Sequence, residues 1–177
     1  MTDLVLLKTT HKALLSKFLA DFHAVGEADI PGYFGRADAD IDVLVREFDD
    51  QHRGVGLAPG IVPSTTAFLM EEGRFVGVVN LRHDLNDTLR RMGGHVGYSV
   101  APSFRGRGYA TRLLANALDR LTTLGVTRAL LTCDPRNVGS VRVIEKNGGV
   151  LHDVRYVQSI RREVARYWID VDGVVTP

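Results

Sequence analysis

Apolar residues fall at helical spacing at Leu14, Leu15, Phe18, Leu19 and Phe22, which predicts a helix over about Lys12 to Ala24. Gly26 to Gly35 follows as a loop around Ile30-Pro-Gly-Tyr-Phe34. Ile41, Leu44, Val45 and Phe48 make a second helical stripe, with Asp38 or Asp40 as its N-cap. Gly54 to Ser64, rich in glycine and proline, is loop. Thr65 to Glu71 and Phe75 to Leu81 read as strands around a Glu72-Gly-Arg74 turn, and His95 to Val100 as a third strand after a polar loop over Asn86 to Gly93. From Gly108 the helical period returns, with Ala110, Leu113, Leu114, Ala117, Leu118, Leu121 and Leu124 stopping at Gly125. Arg128 to Cys133 is a short apolar strand, and Asp134-Pro135 turns the chain. Asn137 caps a helix faced by Val138, Val141 and Ile144 and ended by Asn147-Gly-Gly149. Strands over about Val150 to Ser159 and Val164 to Val171 follow.

This order predicts an α/β fold over residues 1–177 as a single domain: a mixed, mostly antiparallel sheet with helices on both faces. A strand, a crossover helix and a strand predict a parallel pair at the middle of that sheet. Ligands in such sheets favour the carboxyl ends of parallel strands. The 22 basic and 21 acidic residues leave no net field, which argues against nucleic acid and membrane surfaces as partners. Cys133 stands alone, so neither an internal disulfide nor a cysteine-type metal site is expected, and a reducing, cytoplasmic setting follows. The short apolar run Leu4 to Leu7 has the length of neither a signal peptide nor a membrane span.

The chemistry concentrates in Tyr98-Ser-Val-Ala-Pro-Ser-Phe-Arg-Gly-Arg-Gly-Tyr-Ala-Thr111, where a strand end enters a glycine- and arginine-rich turn that opens a helix. A helix start presents unpaired N–H groups and partial positive charge. Gly106 and Gly108 let a phosphate approach the backbone, and Arg105 and Arg107 add donors suited to it. An exposed turn with solvated arginines has the same residues. The surrounding strand and helix favour phosphate binding.

Arg105-Gly-Arg-Gly-Tyr-Ala110 resembles the Arg/Gln-x-x-Gly-x-Gly/Ala signature of the GNAT superfamily of acyl-CoA N-acyltransferases. Val100-Ala-Pro102 is similar to that family's Val-x-Pro strand end, and Asn137-Val-Gly-Ser140 with Glu145-Lys-Asn-Gly148 to its later motifs. Ile30-Pro-Gly-Tyr33, Gly93-Gly-His-Val-Gly-Tyr-Ser99, Leu131-Thr-Cys-Asp134 and Arg166-Tyr-Trp168 resemble a bacterial acetyltransferase group within it. The resemblance implies acetyl-CoA as donor and a small-molecule or peptide amine as acceptor, in a fold where homodimers are common. It also implies that the central parallel strands splay to admit the cofactor. The amides of Arg105, Gly106, Arg107, Gly108, Tyr109, Ala110 and Thr111 would hold the pyrophosphate. The pantetheine arm would pair near Ser99 and Val100, and Asn137 would touch it while capping its helix. The loop holding Tyr33 and Phe34 would border the acceptor.

Two features of the family pattern are missing. Gly94 stands where many relatives carry a glutamate base, and Ile144 where many carry a tyrosine acid. The need for a base depends on the acceptor: at pH 7 a lysine-type amine costs roughly 4–5 kcal/mol to deprotonate, an α-amine only roughly 1–1.5 kcal/mol. His95 is the base candidate by position and ordinary pKa, and is also what a half-buried strand histidine looks like. Tyr98 can donate to the leaving thiolate or simply pack. Cys133 can act as nucleophile or core residue, and Asp134 as amine anchor or turn former. Two other functions remain open: a CoA-binding sensor that transfers nothing, and a dinucleotide-binding oxidoreductase suggested by Gly106-x-Gly-x-x-Thr111.

Overall fold

Leu15, Phe18, Leu19 and Phe22 line the buried side of the first helix, α1 (Lys12–Ala24), which has the predicted bounds. The computed structural model describes residues 4–27, 29–30, 33–34 and 40–171, with Asp29, Tyr33 and Phe34 described by their backbone alone. Strand β1 (Leu4–Leu6) precedes α1; its few residues pair with a later strand, a contact that no local period announces. The expected loop over 26–35 instead contains a two-rung hairpin, β2 (Asp29–Ile30) against β3 (Tyr33–Phe34). Asp38 lies outside the described residues. Asp40 caps α2 (Ile41–Arg53), its carboxylate accepting from the Asp42 N–H at 2.8 Å.

Strands β4 (Ser64–Glu71) and β5 (Arg74–Arg82) form the expected hairpin, with Gly73 in the left-handed region at φ 72°. The polar stretch after it, expected as loop, holds a short helix, α3 (Asp87–Arg91), started by Asn86 Oδ1 accepting from the Leu89 N–H. That is the asparagine N-cap pattern, compressed into too few residues to show a period. β6 (Val96–Val100), α4 (Tyr109–Thr123), β7 (Arg128–Cys133), α5 (Val138–Lys146), β8 (Val150–Val157) and β9 (Arg162–Asp170) follow as predicted to within a few residues.

Pairing departs from the expected single mixed sheet. One sheet has the order β1-β4-β5-β6 and a second the order β7-β9-β8, and every ladder in both is antiparallel. Strands β6 and β7 form no ladder; they meet where the His95 N–H donates to the Leu130 carbonyl at 2.7 Å. The cause lies beside that bond. The His95 imidazole turns back and its Nδ1 accepts the Leu130 N–H at 2.8 Å, so a side chain takes the place of the next backbone rung. Beyond this latch the two strands part. The absence of a parallel ladder among the described residues also removes the doubly wound sheet that a dinucleotide-binding oxidoreductase would need.

Helices cover both faces, as expected. Phe18, Phe22, Leu44 and Phe48 of α1 and α2 pack with Phe68, Phe75 and Val78 in one core. Leu113, Leu114, Ala117 and Leu121 of α4 and Ile144 of α5 pack with Ala67, Val79, Leu131 and Tyr167 in the other. Arg166, buried on β9, grips Asp153 with two bonds of 2.6 Å and donates to the Arg90 carbonyl at 2.9 Å, which ties α3 to the second sheet.

Candidate active site

Because β6 ends one sheet and β7 ends the other, each turns an unladdered edge toward the gap between them. A cleft of about 990 Å³ occupies that gap and spreads under α2 and α3. Strand alternation sorts its lining. Directly opposed residues of antiparallel strands share a face, so Ser64, Thr66, Asn80 and Arg82 lie on the α1–α2 side, and Ala67, Val79 and Tyr98 on the α4–α5 side. The cleft therefore has two differently built walls.

The α4–α5 wall brings Tyr98 together with Cys133, Ser140 and Ile144. The Tyr98 hydroxyl is buried and makes no hydrogen bond among the described residues. Burial pushes its pKa up to about 12; the Ser140 hydroxyl, outside hydrogen-bond geometry but close enough to interact with the phenol oxygen, opposes this, and a negative charge on Cys133 would add to it. Burial also pushes the Cys133 thiol up to about 11, helped by the negative charges of Asp134 and Glu145, so it holds its proton at neutral pH, the opposite of an activated nucleophile. Asp134 is bound by Arg136 through contacts of 2.8 and 3.1 Å, and this pairing holds its carboxyl at about 2. It is an arginine-paired turn residue.

His95 lies outside the cleft lining and is 7% exposed. Its Nδ1 takes the Leu130 N–H, so the neutral ring carries its proton on Nε2. Burial first, then the Arg90 charge, lowers its pKa to about 4. The unfolded chain binds that proton near pH 6.5, so acid favours unfolding between pH 6.5 and 4 and removes about 3 kcal/mol of stability across that window. Replacing His95 by Asn, whose Oδ1 can still accept the Leu130 N–H, should flatten this slope in urea melts recorded from pH 7 to 4. An unchanged slope would reject the latch.

Gly94, next to His95, has φ +61°, and a Cβ there would fall on the Leu130 carbonyl oxygen, with the carbonyl carbon at 2.9 Å. No side chain can stand at this point, which accounts for the missing glutamate. On the α1–α2 wall Asn80 Nδ2 donates to Ser64 Oγ at 3.2 Å and Thr66 Oγ1 at 3.1 Å, a buried polar layer facing the cleft. Sequence reasoning assigned no role to Asn80 or Arg82, and named Ser140 only within the Asn137-Val-Gly-Ser140 motif. The signal available for the first two was polarity inside an otherwise apolar strand, Phe75-Val-Gly-Val-Val-Asn-Leu-Arg82.

The glycine turn leaves the end of β6. Ser99 and Val100 pair with Val78 and Gly77 of β5 and belong to the edge strand. Gly106 and Gly108 are left-handed at φ +74° and +82°, and an added Cβ at either would meet nothing within 4 Å. Glycine is required there by conformation, and the space around it is open. Gly108 is the N-cap of α4 and has no side chain to cap with, so the first-turn amides of Tyr109, Ala110 and Thr111 face outward without intrahelical acceptors. The two arginines behave differently from the expectation of paired phosphate donors. Arg105 is forked onto Glu27 at 2.8 and 2.6 Å, its Nε donates to the Val100 carbonyl at 3.0 Å, and its own N–H goes to the Pro102 carbonyl. Arg107 lies over the Phe104 ring, 5.6 Å from its centre. Asn137 Oδ1 accepts the Ser140 N–H at 3.0 Å, the expected N-cap of α5.

Residues 7–150 match the family model described as Acetyltransferase (GNAT) domain. No curated protein matches the chain. Among solved structures, the fold is similar to Mycobacterium smegmatis RimJ in complex with CoA-disulfide, with 21% identity, 97% of this chain and 83% of that chain covered, and a TM-score of 0.70. It is similar to the ribosomal-protein-S5-alanine acetyltransferase of Vibrio fischeri, with 16% identity, coverage of 96% and 93%, and a TM-score of 0.68. It is also similar to yncA of Salmonella typhimurium with its cofactor acetyl-CoA, with 16% identity, coverage of 98% and 96%, and a TM-score of 0.62. Among the described residues no cluster of three or more His, Cys, Asp or Glu could hold a metal, and no helix is long and apolar enough to cross a membrane.

Proposed function

The chain belongs to the GNAT acetyltransferase family, and on that premise we propose that it moves an acetyl group from acetyl-CoA to a primary amine by direct attack in a ternary complex. Acetyl-CoA supplies the acyl group, and its thiol leaves. The amides from Gly106 to Thr111 receive the pyrophosphate, with open space above both glycines for its close approach. Arg105, held by Glu27, fixes the turn and offers no free guanidinium. The free edge of β6 pairs with the pantetheine arm near Ser99 and Val100, with the Val100 N–H as donor because the Val100 carbonyl already accepts from Arg105 Nε, and Asn137 touches the arm while capping α5.

One observation carries the catalytic reading: the buried, unpartnered hydroxyl of Tyr98 in the cleft between the two edge strands. It is a hydrogen-bond donor held out of water, placed to steady the leaving sulfur as negative charge develops. A backbone N–H of the same strand serves the thioester oxygen. His95 is the latch that opens the gap rather than a base, because its acceptor nitrogen is taken.

The cleft lining among the described residues has no histidine, and its carboxylates are Glu47 and Asp50 of α2, the latter paired with Arg53 at 2.7 Å. This favours an acceptor that sheds its proton readily, an α-amine with pKa about 8. Calorimetric titration with CoA, together with thiol release from acetyl-CoA over an amine panel, tests the reading. CoA should bind, release should require an amine, and kcat/KM should rise about tenfold per pH unit up to the amine's pKa. Tight CoA binding with no release on any amine would mark a sensor instead.

A further inference from the structure

Several arginines in this fold pair with carboxylates: Arg53 with Asp49 and Asp50, Arg105 with Glu27, Arg136 with Asp134, Arg166 with Asp153. Arg82, on the α1–α2 wall of the cleft, does not. Its Nη1 donates to the carbonyls of Gly93 at 3.0 Å and Gly94 at 3.1 Å. Guanidinium has five N–H groups, and the three on Nε and Nη2 make no hydrogen bond or ion pair among the described residues. Burial weakens its hold on its proton, and no acid offsets that. A desolvated cation without a counter-charge is costly, and its remaining donors form a planar fork of the geometry that binds carboxylate or phosphate. The two carbonyls hold the group at the end of β5, two residues from Asn80, whose strand partner is Gly97 beside Tyr98. The unpaired cation and the proposed transfer point thus open onto one cleft.

We propose that Arg82 receives an anionic group, carboxylate or phosphate, carried by the acceptor, so that the preferred acceptors are amines bearing a negative charge. The proposal rests on the acetyl-transfer reading. It gives the acceptor two anchors: its amine near Tyr98 and its anion at the free fork of Arg82. It also gives a role to a cation kept, without an ion pair to either, in a cleft whose lining among the described residues holds the carboxylates Glu47 and Asp50.

Matched acceptors test it. L-phenylalanine is compared with L-phenylalaninamide, and glucosamine 6-phosphate with glucosamine, by kcat/KM for thiol release from acetyl-CoA. The anionic member of at least one pair should be favoured tenfold or more, and the pair concerned identifies carboxylate or phosphate. In Arg82→Gln and Arg82→Met that ratio should fall at least tenfold, while Arg82→Lys keeps part of it. A ratio within one enzyme is unaffected by any loss of folded protein, so a variant weakened at the Gly93–Gly94 turn still reports. Equal or better use of the neutral member in both pairs, or a ratio unmoved in Arg82→Gln, would overturn the proposal. Product binding separates it from the transfer reading. With CoA present, N-acetyl-L-phenylalanine or N-acetylglucosamine 6-phosphate should bind at least tenfold tighter than its uncharged counterpart, and Arg82→Gln should abolish the difference. That result without turnover would sink the transfer reading alone; no anion-selective binding would sink the role of Arg82.

Discussion

Replacing Tyr98 by Phe should lower kcat for acetyl transfer by about 10²-fold while leaving the Kd for CoA within about twofold and raising Tm by about 2–4 °C. The two signs come from one atom. The hydroxyl is buried without a partner, so the folded protein carries an unsatisfied polar group. Its removal relieves about 1 kcal/mol of that penalty. The same lack of a partner leaves the O–H free to donate to the sulfur as the thioester breaks. A residue that only packs would give a more stable enzyme of unchanged kcat, and the sulfur's donor would then be sought at Ser140 on the same wall. The pH behaviour is also fixed. With its pKa pushed up to about 12, the phenol keeps its proton throughout the assay range, so Tyr98 produces no fall in rate below about pH 11. The unfolded phenol ionises near pH 10, so its contribution to stability is constant below that value and is lost as pH rises toward 12.

Gly94→Ala should destabilise the protein by about 4 kcal/mol, lowering Tm by roughly 8–16 °C, as measured by thermal and urea melts. Part of the loss, about 1–2 kcal/mol, is the penalty for a side chain in the left-handed region. The rest comes from the new methyl group meeting the Leu130 carbonyl, a backbone group that cannot rotate away. Relieving the clash requires β6 and β7 to move apart, which breaks the His95–Leu130 latch. Gly106→Ala makes the comparison: it has the same left-handed conformation but open space, so it should lose only about 1–2 kcal/mol. Equal effects at the two sites would mean that conformation alone, and not the close crossing of β6 and β7, dictates glycine at position 94.

Much of the fold was legible along the chain because its elements are long enough to show a period. The bounds of α1 and the turn between β4 and β5 follow from local patterning alone. The two-rung hairpin β2–β3, the five-residue α3 and the three-residue β1 escaped because each is shorter than the window in which a period can be seen. The donor side of the site was legible for a similar reason. A glycine turn followed by a helix start is a local object, and its chemistry is that of adjacent amides.

The acceptor side was not. Tyr98 reads from the sequence as a strand tyrosine and His95 as a candidate base. The structure makes His95 a latch and leaves the Tyr98 hydroxyl alone, and each outcome depends on residues more than thirty positions away, Leu130 for the one and Cys133 with Ser140 for the other. Arg82 is a charged strand end until the fold withholds a carboxylate from it. What the sequence determined by itself was periodicity, capping and the glycine turn, all set by neighbours in the chain. Tertiary structure alone decided which polar groups lost water and whether they gained a partner, because desolvation and pairing are set by whatever distant segment arrives in space.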